Sequence, residues 1–154
     1  MNWSVLEGSD TAAGSAVIAD DQVKSDSILT GKNCLKMTYQ GNGIYGIISD
    51  PIATAEGKEY RLNLMAQGLS GDDPCHTYLN FYNEEGTLIS SSTDWSTGYS
   101  NGRTYITTNG SDRLAITAPA GAVTVRQVIQ LGTEGTATDV SYLFDRATIF
   151  ALDS

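Results

Sequence analysis

The feature that most constrains this chain is a period-two alternation of apolar and polar residues, in short runs broken repeatedly by Gly and Asn clusters. Such alternation marks a strand with one buried face, because successive side chains point to opposite sides of a pleated ribbon. In Cys34–Gln40, Leu35, Met37 and Tyr39 alternate with Lys36 and Thr38. In Tyr60–Ala66, Tyr60, Leu62, Leu64 and Ala66 share a face opposite Arg61, Asn63 and Met65. Strands are also expected over Trp3–Glu7, Ala16–Asp20, Ile44–Ile52, Thr77–Asn83, Leu88–Ser90, Arg113–Ala118, Val123–Leu131 and Tyr142–Leu152. Gly41-Asn42-Gly43, Ser70–Asp73, Asn109-Gly110 and Gly132–Gly135 separate them as turns. Helical spacing is confined to a short stretch around Ala12. Strands in this density, without intervening helices, pack as two antiparallel sheets, so the fold class is an all-β sandwich.

The 154 residues fit one domain with one core. Met1-Asn2-Trp3 follows no charged-then-apolar leader and reads as the start of a module cut from a longer chain. Charged residues make up 18%, below the usual quarter or so; with 16 Gly and many Ser and Thr, this suits a turn-rich protein working outside the cell. The formal net charge of -9 excludes nucleic acid as a partner, since it repels phosphate backbones. It disfavours polyanionic glycans less firmly, because a local basic patch overrides an average, and it places no penalty on neutral ones. No apolar run reaches the roughly 20 residues of a membrane-spanning helix. Cys34 and Cys75 allow one disulfide or two free thiols, and their spacing matches no zinc pattern.

The residues of a catalytic centre do not gather in the sequence. The single histidine, His76, follows Pro74-Cys75 and reads as a turn or surface residue. Glu7, Glu56, Glu84, Glu85 and Glu134 sit at strand ends or turns, and nothing in their spacing pairs two of them across a cleft, as glycoside hydrolysis requires. No nucleophile elbow, phosphate-cradling loop or metalloprotease helix is present. The long segment Ser91–Gly102 lacks strand character but carries Trp95 and Tyr99. Aromatics in a long loop are recognition groups or cover a core edge. Trp3 reads as core packing.

Several segments, in order, carry a family resemblance: Leu6-Glu7-Gly8; Thr30-Gly31-Lys32-Asn33-Cys34-Leu35-Lys36-Met37; Gly57-Lys58-Glu59-Tyr60-Arg61-Leu62; Asn80-Phe81-Tyr82-Asn83-Glu84-Glu85-Gly86; Ala118-Pro119-Ala120-Gly121-Ala122; and Phe144-Asp145-Arg146-Ala147-Thr148-Ile149. Over nearly the whole length the chain resembles the carbohydrate-binding modules of families four, nine and twenty-two. The resemblance implies a galactose-binding-like jelly roll, monomeric and secreted, appended to a glycoside hydrolase or lyase and binding a soluble, neutral plant or microbial polysaccharide. It also implies a structural calcium, with side-chain oxygens from Glu7 and Asp145 and carbonyls around Lys32 and Asn33. Where relatives often have a second acidic residue, this chain has Arg146.

In that group the strands matching Ile44–Ile52, Thr77–Asn83 and Val123–Leu131 share the binding sheet. Sugar recognition needs aromatic faces for C–H patches and amide, carboxylate or guanidinium groups for hydroxyls. Alternation sets Leu79 and Phe81 inward, so Tyr78, Asn80 and Tyr82 face out; Arg126 and Gln130 lie opposite Val125 and Ile129. Gln127 falls on the apolar side, which suggests a bulge. Tyr45 is expected on the outer face of its strand. The candidate binding residues are therefore Tyr45, Tyr78, Asn80, Tyr82, Arg126 and Gln130, with Trp95 and Tyr99 closing one side. An adhesive protein–protein sandwich, or a small glycan-active enzyme, are the competing readings.

Overall fold

A computed structural model describes residues 3–20, 33–71, 73–97, 103–107 and 115–152. All the regular structure among them is β: β1 (Trp3–Val5), β2 (Gly14–Asp20), β3 (Asn33–Gly41), β4 (Tyr45–Ser49), β5 (Ile52–Ala53), β6 (Glu59–Ser70), β7 (Cys75–Tyr82), β8 (Leu88–Ser91), β9 (Trp95–Thr97), β10 (Arg103–Thr107), β11 (Ile116–Thr117), β12 (Thr124–Leu131) and β13 (Thr138–Ala151). Sheet A runs β1-β4-β12-β7-β8, with β5 on β12 and β9 on β7. Sheet B runs β10-β6-β13-β3-β2, with β11 on β6. Every pairing is antiparallel. The two sheets form the sandwich that alternation implies.

The core lies between them. Tyr39, Tyr142 and Phe144 of sheet B and Leu79, Phe81, Ile129 and Leu131 of sheet A are almost wholly removed from solvent. Burying a side chain of this size contributes about 1.5–3 kcal/mol. Tyr142 stacks on Phe144 with ring centroids 5.6 Å apart. Trp3 packs against the cluster, as its position in the first strand implies. Both cysteines are buried, and they are not joined to each other by a disulfide. Cys75 belongs to the inter-sheet core, whereas Cys34 lies with Leu143 in a separate small cluster on sheet B.

Three expectations change. The run Ile44–Ile52 is two strands, because Pro51 has no N–H to give a central ladder and the chain leaves the sheet at Asp50-Pro51. Ser91–Gly102 is not structureless: Trp95–Thr97 forms β9, and Ser91 ends β8. No bulge displaces Gln127. The β12–β7 ladder is continuous from Thr124 to Leu131 and sets Gln127 opposite Leu79, inside the core. Its burial is met by polar neighbours: Gln127 Nε2 donates to Thr77 Oγ1 (3.1 Å), and its backbone N–H donates to Ser49 Oγ (2.8 Å).

Candidate functional site

Sheet A places the expected strands side by side, with β12 between β4 and β7. Its register sorts the residues of the face turned away from the core into cross-strand rows. One row is Ala53–Thr124–Tyr82–Leu88, and the next is Arg126–Asn80–Ser91. Then come Ser4–Ile48–Val128–Tyr78 and Gly46–Gln130–His76–Ser96. Residues directly opposite on one face lie close enough to interact, so five expected residues converge: Tyr78, Asn80, Tyr82, Arg126 and Gln130. None of the row residues is a carboxylic acid.

The polar groups of this face are mutually anchored. Ser91 Oγ donates to Asn80 Oδ1 (2.7 Å), and Asn80 Nδ2 donates to Tyr82 Oη (3.2 Å). Asn80 is itself buried, so its task is to hold Tyr82 rather than to meet a ligand alone. Tyr78 Oη donates to Gln130 Oε1 (2.7 Å), and Gln130 Nε2 donates to Gly132 O (3.2 Å). Burial, then the nearby Asp94 and Tyr82, push the Tyr78 hydroxyl up to about 12. The Arg126 guanidinium lies 5.9 Å from the Tyr82 ring centroid, and its Nε donates to Ser49 O (2.6 Å). Between these groups Ile48 and Val128 are buried, although they point away from the inter-sheet core. They give the face an apolar strip bounded by Tyr78.

His76, read in the sequence as a turn or surface residue, belongs to this face. It stands opposite Gln130, and its Nδ1 lies 2.7 Å from Asp94 Oδ2. The signal that could have found it is strand parity: His76 is two residues before Tyr78 and six before Tyr82, all on one side of β7.

Tyr45 is corrected. It is a core residue, 5% exposed, whose ring stacks on Tyr39 at 6.5 Å. Its β12 partner is Leu131, and Ile47 pairs with Ile129, so Tyr45 and Ile47 both face sheet B. A Cβ on Gly14 would lie 2.3 Å from the Tyr45 ring, so Gly14 leaves the space the ring fills. Trp95 begins β9 opposite Thr77, and its side chain lies outside the described residues. Tyr99 lies outside them altogether.

The residues of the expected calcium set are described only in part. Glu7 is in the turn after β1, where Leu6 N–H donates to Gly46 O (2.9 Å), and Asp10 Oδ2 accepts from Tyr39 Oη (3.3 Å). Asp145 follows Phe144, which pairs with Leu35, and Asn33 starts β3. Lys32 and the Asn33 side chain lie outside the described residues. Among the described residues, no three His, Cys, Asp or Glu side chains are grouped to hold a metal.

With this geometry in place, solved structures supply the context. A family 22 carbohydrate binding module of Clostridium thermocellum Xyn10B matches with a TM-score of 0.63 at 12% identity, over 97% of this chain and 84% of that one. The fold is that of the jelly-roll carbohydrate-binding modules. A xylan-binding module from Paenibacillus barcinonensis Xyn10C matches with a TM-score of 0.62 at 10% identity, covering 99% of this chain and 87% of that one. The enzymatically active domain of tailspike protein 4 from bacteriophage CBA120 matches with a TM-score of 0.70 at 13% identity, over 98% of this chain. This chain spans only 19% of that tailspike chain. At these identities the shared property is the fold. No protein-family model matches the sequence, and no curated protein sequence matches it.

Proposed function

We propose that the outer face of sheet A binds a carbohydrate chain without catalysis. The observation that carries this reading is the convergence of Tyr78, Tyr82, Arg126 and Gln130 on adjacent outer rows, each held by a hydrogen bond or ring contact. Pre-set aromatic and amide groups lower the ordering cost of binding a flexible, hydrated ligand. The rings cover C–H patches while the amide, guanidinium and imidazole groups meet hydroxyls. With no carboxylic acid in the rows, the face lacks the paired acids of a glycosidase.

The fold supports the reading, because structures that share it include modules joined to hydrolases. One contains the CBM22-1 and GH10 modules of Clostridium thermocellum Xyn10B complexed with xylohexaose. We take this chain to be one monomeric module of a longer extracellular protein, holding an attached enzyme on a largely neutral polysaccharide by raising its local concentration. The net charge of -9 favours such a backbone over a polyanion.

Affinity electrophoresis against soluble polysaccharides tests the proposal. Retardation by at least one glycan is expected, reduced in Tyr78→Ala and Tyr82→Ala, with no release of reducing ends. Undiminished retardation in both variants would place the site elsewhere, and released reducing ends would make the protein an enzyme.

A further inference from the structure

The Arg126 side chain has an arrangement that hydroxyl recognition alone does not explain. It is half-buried, fastened through Nε to the Ser49 carbonyl and set over the Tyr82 ring. The chain has 18 acidic residues and nine basic ones. Yet among the described residues the one ion pair is His76–Asp94, and no carboxylate stands within bridging distance of Arg126. A partly desolvated charge without a partner is costly to keep, and acids for pairing it are abundant in this sequence. The bond to the Ser49 carbonyl occupies Nε and leaves the two Nη groups as the guanidinium's remaining donors. A planar fork of N–H donors is the complement of a carboxylate, which it grips through two parallel charge-assisted bonds.

We infer that Arg126 is a subsite for the carboxylate of an acidic sugar carried on the bound chain. The inference rests on the proposed carbohydrate face and narrows its ligand class from a neutral chain to one bearing uronate groups. The overall negative charge does not oppose this. Screening acts over about 8 Å at physiological ionic strength, so a carboxylate in contact with Arg126 responds mainly to that group. A chain with a uronate on every unit would bring further carboxylates to an acidic surface, so sparse substitution fits best. His76 is the other basic side chain in the described rows, and Asp94 already engages it.

The test uses oligosaccharides from glucuronoxylan, homogalacturonan and alginate. Each is supplied with its carboxyl groups intact and with those groups chemically reduced to primary alcohols, and binding is measured by isothermal titration calorimetry. At least one intact oligosaccharide is expected to bind about tenfold or more tightly than its reduced twin. Arg126→Gln should abolish that preference, so that the intact and reduced twins bind it alike, whatever the loss in affinity common to both. Arg126→Lys, which keeps the charge but loses the fork, should retain only part of the preference. Unfolding midpoints of both variants confirm that they fold. Equal binding of the twins by the natural protein overturns the uronate subsite and leaves the carbohydrate face standing. An unchanged preference in Arg126→Gln also overturns it. Binding to no oligosaccharide of either kind, and to no neutral polysaccharide, sinks the carbohydrate face and the subsite with it.

Discussion

The two faces of sheet A carry similar residue types but use them differently. Inward lie Tyr45, Ser49, Thr77 and Gln127; outward lie Tyr78, Asn80, Tyr82, Arg126 and Gln130. The inner tyrosine is spent on packing, its ring stacked on Tyr39 and seated under Gly14. The inner amide is enclosed, with Gln127 Oε1 buried and without a hydrogen-bond partner among the described residues. The outer groups are restrained by short bonds to one another, and all but the buried Asn80 remain partly exposed. Residue type therefore does not separate a binding tyrosine from a structural one. Strand parity and the partner across the ladder do.

Substitutions that exploit this contrast should act on stability from the inside and on affinity from the outside. The largest effect is expected from Tyr45→Ala, which empties a packed site and should cost about 3–5 kcal/mol in urea unfolding. Gly14→Ala drives a methyl against the same ring and should cost about 1–3 kcal/mol. Combined with Tyr45→Ala, that second penalty should shrink without vanishing, because the ring clash goes while the Cβ at position 45, 2.7 Å from the added methyl, stays. Additive costs would show that Gly14 is needed for its backbone instead.

Ser49→Ala removes the buried acceptor of the Gln127 N–H and should cost about 1–3 kcal/mol. A neutral result would mean that the ladder relaxes to satisfy that group. On the outer face, Tyr82→Ala should weaken binding of a retarding glycan about tenfold while changing stability by less than about 1 kcal/mol. A large stability loss there would erase the distinction between the faces.

The smallest expected effect is a pH dependence. The Tyr78 hydroxyl ionises in the folded protein at about 12, above its ordinary 10.0, chiefly because burial disfavours the anion. A raised folded value means that the folded state holds the proton more tightly. Its stabilisation is thus intact below about pH 10 and is lost as pH rises towards 12. Tyr78→Phe should flatten this part of a plot of unfolding midpoint against pH. An unchanged slope would assign the loss to other groups, Tyr142 among them, whose hydroxyl is also raised by burial.

Much of this arrangement was legible in the sequence, for a physical reason that also marks where it stopped. In β7 and β12 the alternation has a clear phase, since Leu79, Phe81, Val125 and Ile129 identify the inner side and so place Tyr78, Asn80, Tyr82, Arg126 and Gln130 outside. β4 offers no such phase. All five of its residues are buried, because Ile48 on the outer side is covered as well as Ile47 on the inner. Alternation therefore leaves two equivalent settings for Tyr45, and only the β4–β12 register selects the inner one. Gln127 breaks the pattern because its amide nitrogen is held by Thr77 and its backbone N–H by Ser49, partners distant in sequence. β9 was missed because Ser and Thr supply little apolar contrast, and its pairing with β7 is a tertiary fact. His76 was set aside for a related reason: its place opposite Gln130 depends on the β12–β7 register.

Backbone amide shifts during titration with a retarding oligosaccharide test the central claim most directly. The largest changes should fall on Tyr78, Asn80, Tyr82, Arg126 and Gln130, leaving Gln40–Asn42 and Thr138–Asp139 unmoved. Those latter residues line an open groove of about 610 Å³ at one end of the sandwich, formed with Gly71 and Asp73. Shifts concentrated in that groove, with β7 and β12 silent, would contradict the account.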